Sequence, residues 1–115
     1  MITDLSYLES MSGNNTDFIA EIVSIFREQI DEYIIQLPEL LDKSDFENLS
    51  KVAHKAKSSV AVMGMTNEAE LMKNLEIYAK NEIEVNTYKG LIGTFIKNSG
   101  LALEELDEYL KNKQS

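Results

Sequence analysis

Apolar residues recur at steps of three and four along nearly the whole chain, and that period constrains the fold more than any other feature. From Thr16 to about Lys43 the series is Phe18, Ile22, Ile25, Phe26, Ile30, Tyr33, Leu37, Leu40 and Leu41, the seam of an amphipathic helix. Its one proline, Pro38, removes a ladder hydrogen bond and predicts a kink or break near Ile34 to Leu37. Ser44-Asp45-Phe46-Glu47 reads as a capping box that starts a new helix. That helix carries Phe46, Leu49, Val52, Ala53, Ala56, Val60 and Met63 inward, and Gly64 is its stop.

Thr66 or Asn67 then caps a segment with Leu71, Met72, Leu75, Tyr78 and Ala79 in one stripe, running to about Lys80. A polar turn over Asn81 to Asn86 leads to the last helix, Thr87 to about Lys111, with Tyr88, Leu91, Ile92, Phe95, Ala102, Leu103, Leu106, Tyr109 and Leu110 at the same period. Gly90, Gly93 and Gly100 inside it either allow close helix contact or are simply tolerated at about 1 kcal/mol each. A short opening element over Asp4 to Met11, capped by Thr3, places Leu5, Leu8 and Met11 on one side before Ser12-Gly13-Asn14-Asn15 breaks it. No stretch alternates as a strand would. The pattern predicts an all-α, antiparallel up-down-up-down four-helix bundle with a short extra N-terminal helix, one domain over residues 1–115.

Composition narrows the function classes. With 20 acidic against 11 basic side chains the net charge is -9, and no basic cluster exceeds two residues, which argues against nucleic acid and anionic membrane surfaces as partners. The absence of cysteine excludes disulfides, thiol catalysis and thiolate metal sites. Neither a signal peptide nor a run of about 18 apolar residues is present, so a cytoplasmic location is expected. A monomer is expected as well. Met1 and the short polar tail after Leu110 favour a free-standing protein over an excised domain.

The lone histidine, His54, lies in Ala53-His54-Lys55-Ala56-Lys57-Ser58-Ser59, where its stripe holds lysine and small residues instead of bulky apolar ones. On a helix His54, Lys57, Ser58, Ala61 and Met65 share a line about a quarter turn from the apolar seam. Helical side chains lean toward the N-terminus, so a small Ser58 leaves the imidazole open to a large partner. A neutral imidazole is a good nucleophile, and Lys57 one turn away can attract a phosphoryl group by about 1 kcal/mol at an exposed site. Taken alone, a histidine beside lysines is ordinarily a solvated surface residue.

The surrounding residues give it context. Ala53 with His54, Lys57, the small pair Ser58 and Ser59, Gly64 ten positions after the histidine, and the pair Leu75-Glu76 all stand in register with the motif of histidine-containing phosphotransfer domains, which the chain resembles. Asp45, and the run from Tyr7-Leu8-Glu9 through Asp17-Phe18-Ile19 to Phe26, extend the resemblance over nearly the whole chain. Ser58 stands where glycine is usual and Ala56 where leucine is usual.

The resemblance implies a phosphocarrier, not an enzyme. His54 would take a phosphoryl group from the aspartate of a response-regulator receiver domain, or of a hybrid histidine kinase, and pass it to another receiver. Lys57 would steady the phosphoryl group and Ser58 would clear space for it. The receiver would supply the divalent metal, Mg2+, and the carrier would need no cofactor or metal of its own. Ala61, Met65, Lys55 and Lys51 are candidates for the docking patch; Met65 reads equally well as packing under the turn at Gly64, and the two lysines as solvated charges.

Other chemistries fit less well. Glu68 with Glu70, and Glu104-Glu105 with Asp107-Glu108, read as solvated charge opposite the apolar seams rather than as catalytic or metal pairs. A di-iron bundle needs more than one histidine, and a serine hydrolase needs a nucleophile turn that is missing. The competing class is a helical protein-interaction module without phosphotransfer, from which the retained pair His54 and Lys57 separates this chain.

Overall fold

A computed structural model describes residues 2–13 and 15–114, with the side chains of 113 and 114 left out. The helices are α1 (Ser6–Ser12), α2 (Thr16–Asp42), α3 (Phe46–Val62), α4 (Thr66–Asn81) and α5 (Tyr88–Gln114), with a single 3-10 turn over Val85–Thr87. No strand occurs among the described residues. Helix α2 packs on α3 and α5, and α4 packs on α3 and α5, which closes four helices around one core. The molecule measures 47 × 21 × 20 Å, because α2 and α5 are each 27 residues long and run past the shorter α3 and α4.

The seam of α2 consists of Ile19, Val23, Phe26, Ile30, Tyr33 and Leu37, strict steps of four and three. Ile25, expected in the seam, is one position out of phase and 45% exposed. Pro38 neither breaks nor ends the helix, which continues to Asp42. The expected box from Ser44 to Glu47 is replaced by a simpler cap one residue later. Asp45 accepts from the Asn48 backbone N–H, while Ser44 adopts φ 54°, a left-handed turn residue that cannot serve as cap. Nor is α4 capped by Thr66 or Asn67; Met65 holds the N-cap position without a side-chain bond.

The N-terminal segment also differs from expectation. Thr3 does not cap α1: its N–H and hydroxyl, with the Ile2 N–H, donate to the Glu105 carboxylate on α5. Asp4 instead accepts from the Ser6 N–H and hydroxyl, so α1 starts at Ser6. The Asp4 N–H donates to Met63 O at 2.9 Å, and the chain crosses directly over Gly64. Leu5 and Leu8 enter the core, but Met11 is 53% exposed. Asn14, in the predicted break, lies outside the described residues; Gly13 makes the left-handed turn there.

Three of the acidic residues expected to be solvated have partners. Glu68 is buried and accepts from Asn98 Nδ2 at 3.0 Å, Glu105 anchors the N-terminal segment, and Asp107 pairs with Arg27. Each joins one helix to a segment far away in sequence, which periodicity does not reveal. The buried hydroxyl of Ser99 has no partner among the described residues.

The glycines separate into two kinds. At Gly90, Gly93 and Gly100 an added Cβ meets open space, so they are tolerated and not required for close packing. Gly64 has φ 69°, and a Cβ there would overlap the Asp4 carbonyl. Chemical denaturation should therefore find Gly93→Ala more stable by about 0.5–1 kcal/mol and Gly64→Ala less stable by at least about 1–2 kcal/mol. Equal effects at the two positions would refute this account of the turn.

Candidate functional site

The site is built where α3 meets α4, the most extensive helix pair in the molecule. The inward face of α3 is made of Leu49, Ser50, Ala53, Ala56 and Val60, mostly small side chains that let α4 approach closely. His54 stands beside this face with 59% of its side chain exposed. Its Nδ1 lies 2.9 Å from Oε2 of Glu76 on α4, and the other carboxylate oxygen, Oε1, accepts from Lys57 Nζ at 2.9 Å. One carboxylate thus joins the two residues singled out by spacing.

The electrostatics determine which ring nitrogen is free. Burial alone would raise the Glu76 carboxyl, but hydrogen bonds from Lys57 and His54, with their charges, outweigh it and hold the group below the ordinary carboxylate range. An ionised carboxylate only accepts, so the Nδ1 facing it carries the proton. In the neutral ring the lone pair then sits on Nε2. Nε2 is thus the ring atom with a free lone pair, and the ring that bears it is held by its opposite edge.

Other expected residues fall into place unevenly. Ser58 is exposed and its hydroxyl turns back to donate to His54 O at 3.4 Å. Ala61 is exposed, and so are Lys51 and Lys55. Both lysines line an open groove of about 960 Å³ beside His54, with Ser50, Glu76 and Lys80. Lys51 lies 3.7 Å from Glu47 in an exposed pair of little energetic weight.

Met65 must be corrected. It is 0% exposed, inside the core where α3 turns into α4, and so presents no surface for docking. Beside Ser58 on the α2 side lies instead a smaller apolar groove of about 310 Å³, with Ile22, Ile25 and Val62 on its walls. Ile25 and Val62 are each more than two-fifths exposed.

Glu76 is the residue whose role the sequence left unassigned. Its place in the Leu75-Glu76 pair was visible, but a carboxylate 22 positions from the histidine has no local signature of contact. No group of three or more histidine, cysteine, aspartate or glutamate side chains able to hold a metal occurs among the described residues. Among those residues, too, no helix is long and apolar enough to cross a membrane.

The lowered Glu76 titration has a consequence for acid stability. The contribution is fully present above the unfolded carboxyl value of about 4.3 and is lost as pH falls through the lower folded value. Denaturation at pH 7 and pH 3 should show Glu76→Gln losing less stability on acidification than the parent chain. An identical acid loss in both would contradict the paired carboxylate.

Comparison with curated proteins and with solved structures gives no match. The sequence model of the Hpt domain matches residues 21–112, which takes in His54, Lys57 and Glu76 and leaves α1 outside. Most of the chain is covered, and the chain belongs to the Hpt domain family.

Proposed function

We propose that this chain is a phosphorelay intermediate, an antiparallel up-down-up-down bundle of α2 to α5 in which His54 is the phosphoacceptor. Hpt domains have a phosphotransfer role in two-component signalling and are phosphocarriers. The observation that supports His54 is the exposed ring fixed through Nδ1 to an ionised Glu76. Such a ring has one accessible lone pair, on Nε2, and a fixed direction of attack.

The proposed step is a displacement at phosphorus. The Nε2 lone pair of His54 forms the N–P bond as the bond from phosphorus to the carboxyl oxygen of a receiver's aspartyl phosphate breaks. The electron pair leaves with that oxygen as a carboxylate. The Nδ1–H remains on the ring, where Glu76 offsets the positive charge that develops on attack. Transfer to the next receiver reverses these bonds. The Mg2+ and the remaining catalytic groups would come from the receiver.

Lys57 has two roles in this reading. Before transfer it holds the second oxygen of Glu76 and so fixes the carboxylate. After transfer it can turn toward the phosphoryl group, one helical turn from the ring. Receivers, including that of a hybrid kinase, would dock over His54, with the apolar groove at Ile22, Ile25 and Val62 on one side of the ring and Lys51 and Lys55 on the other. Ser58 and Ala61 would leave room between them. We further propose a cytoplasmic monomer that acts without nucleic acid or membrane.

Incubation with a phosphorylated receiver should move label onto the chain as an acid-labile, base-stable adduct. His54→Gln should abolish labelling with the helical circular dichroism unchanged; label persisting in that variant would remove His54 from the role.

Lys57→Ala should slow transfer or shorten the adduct's lifetime while costing less than about 1 kcal/mol of stability, as expected of a partly buried ion pair at the bundle surface. A larger stability loss, measured by urea denaturation, would mark Lys57 as structural.

A further inference from the structure

Glu76 makes a third contact with α3, one that involves its backbone. The hydroxyl of Ser50 donates to the Glu76 carbonyl oxygen at 2.8 Å, and Ser50 is itself only 8% exposed. Residues 50, 54 and 57 lie on successive turns of α3 along the line that faces α4. All three grip one residue: Ser50 its carbonyl, His54 one carboxylate oxygen, Lys57 the other.

The backbone contact differs in kind from the other two. A glutamate side chain has rotatable bonds through which its carboxylate can wander, and an ion pair at its far end leaves those bonds free to adjust. The Ser50 bond instead fixes where the side chain starts, setting the height of α4 against α3 at residue 76. A slide of α4 along α3 by even a fraction of a turn would pull Oε2 off Nδ1, since a bond of 2.9 Å tolerates only a few tenths of an ångström. A hydroxyl that only filled its helical position would ordinarily bond back to a carbonyl of its own helix, as Ser58 does. Ser50 reaches across to α4.

We infer that Ser50 is a positioning residue for the phosphotransfer site: by pinning the Glu76 carbonyl it holds the carboxylate on Nδ1 of His54 and so keeps the proton off Nε2. The inference rests on the proposed role of His54, but its first consequence concerns the unphosphorylated ring and can be read without any partner.

The test is the tautomer of His54 in long-range 1H–15N spectra of the free chain, paired with the rate of transfer from a phosphorylated receiver. In the parent chain the neutral ring should be mainly Nδ1–H, and Glu76→Gln should abolish that preference. Ser50→Ala should move the ring partway toward Nε2–H and slow transfer by about threefold to tenfold, the effect of losing one modest hydrogen bond. Ser50→Thr, which keeps the hydroxyl, should restore both readings toward the parent.

Ser50→Cys, of similar volume with a weaker donor, should fall between alanine and serine, and it serves as the second variant if alanine disturbs folding. An unchanged tautomer in Ser50→Ala, whatever happens to the rate, would overturn the inference. So would a loss that Ser50→Thr does not repair. If the tautomer shifts as expected while the parent chain accepts no label, positioning by Ser50 stands and the phosphorelay reading fails.

Discussion

The close contact between α3 and α4 is the constraint on which the site depends. Small side chains on the buried face of α3 bring α4 near enough for one glutamate to reach across the interface. Bulkier residues at Ala53 or Ala56, both fully buried, would push the helices apart and leave the imidazole without its acceptor. The carboxylate would then sit on a neighbouring ridge with no fixed relation to the ring. Packing here is therefore a chemical requirement as well as a source of stability.

The electrostatic logic follows from that spacing. A chain with a net charge of -9 places a lysine and its histidine on the same carboxylate, so the local balance at the site differs from that of the surface at large. Partial burial of Glu76 strengthens its hydrogen bonds, and two donors keep it ionised despite that burial. Neither donor alone explains the arrangement. The ring is oriented because the carboxylate is, and Glu76 is itself held at two places, its other carboxylate oxygen by Lys57 and its backbone carbonyl by Ser50.

Much of the architecture was legible in the sequence because helices announce themselves through local spacing. The positions of α2 to α5 and the exposure of His54 follow from the period of Phe26, Ile30, Tyr33 and their equivalents. What was not legible depends on partners distant in the chain. Thr3 reads as a cap because it precedes a helix, yet its hydroxyl bonds to Glu105 across the bundle. Glu68 lies opposite the apolar seam of its own helix and so reads as solvated, yet it is buried and accepts from Asn98 of α5. Met65 lay on the histidine's stripe by counting residues, but the helix ends at Val62, and beyond that point the count no longer predicts direction. Ser44 failed as a cap for a conformational reason, its left-handed φ, that composition does not carry.

The imidazole is mounted mid-helix on one flank of a rod and not on a loop that could swing between two stations. Only one visitor can cover it at a time. On the proposed role of His54, a donor and a recipient would take turns on the same patch, and the first would leave before the second arrives. For such a go-between, clinging tightly to either neighbour would stall traffic. The apolar furrow and scattered lysines around the ring would then suit brief visits, with throughput governed by how fast each visitor departs.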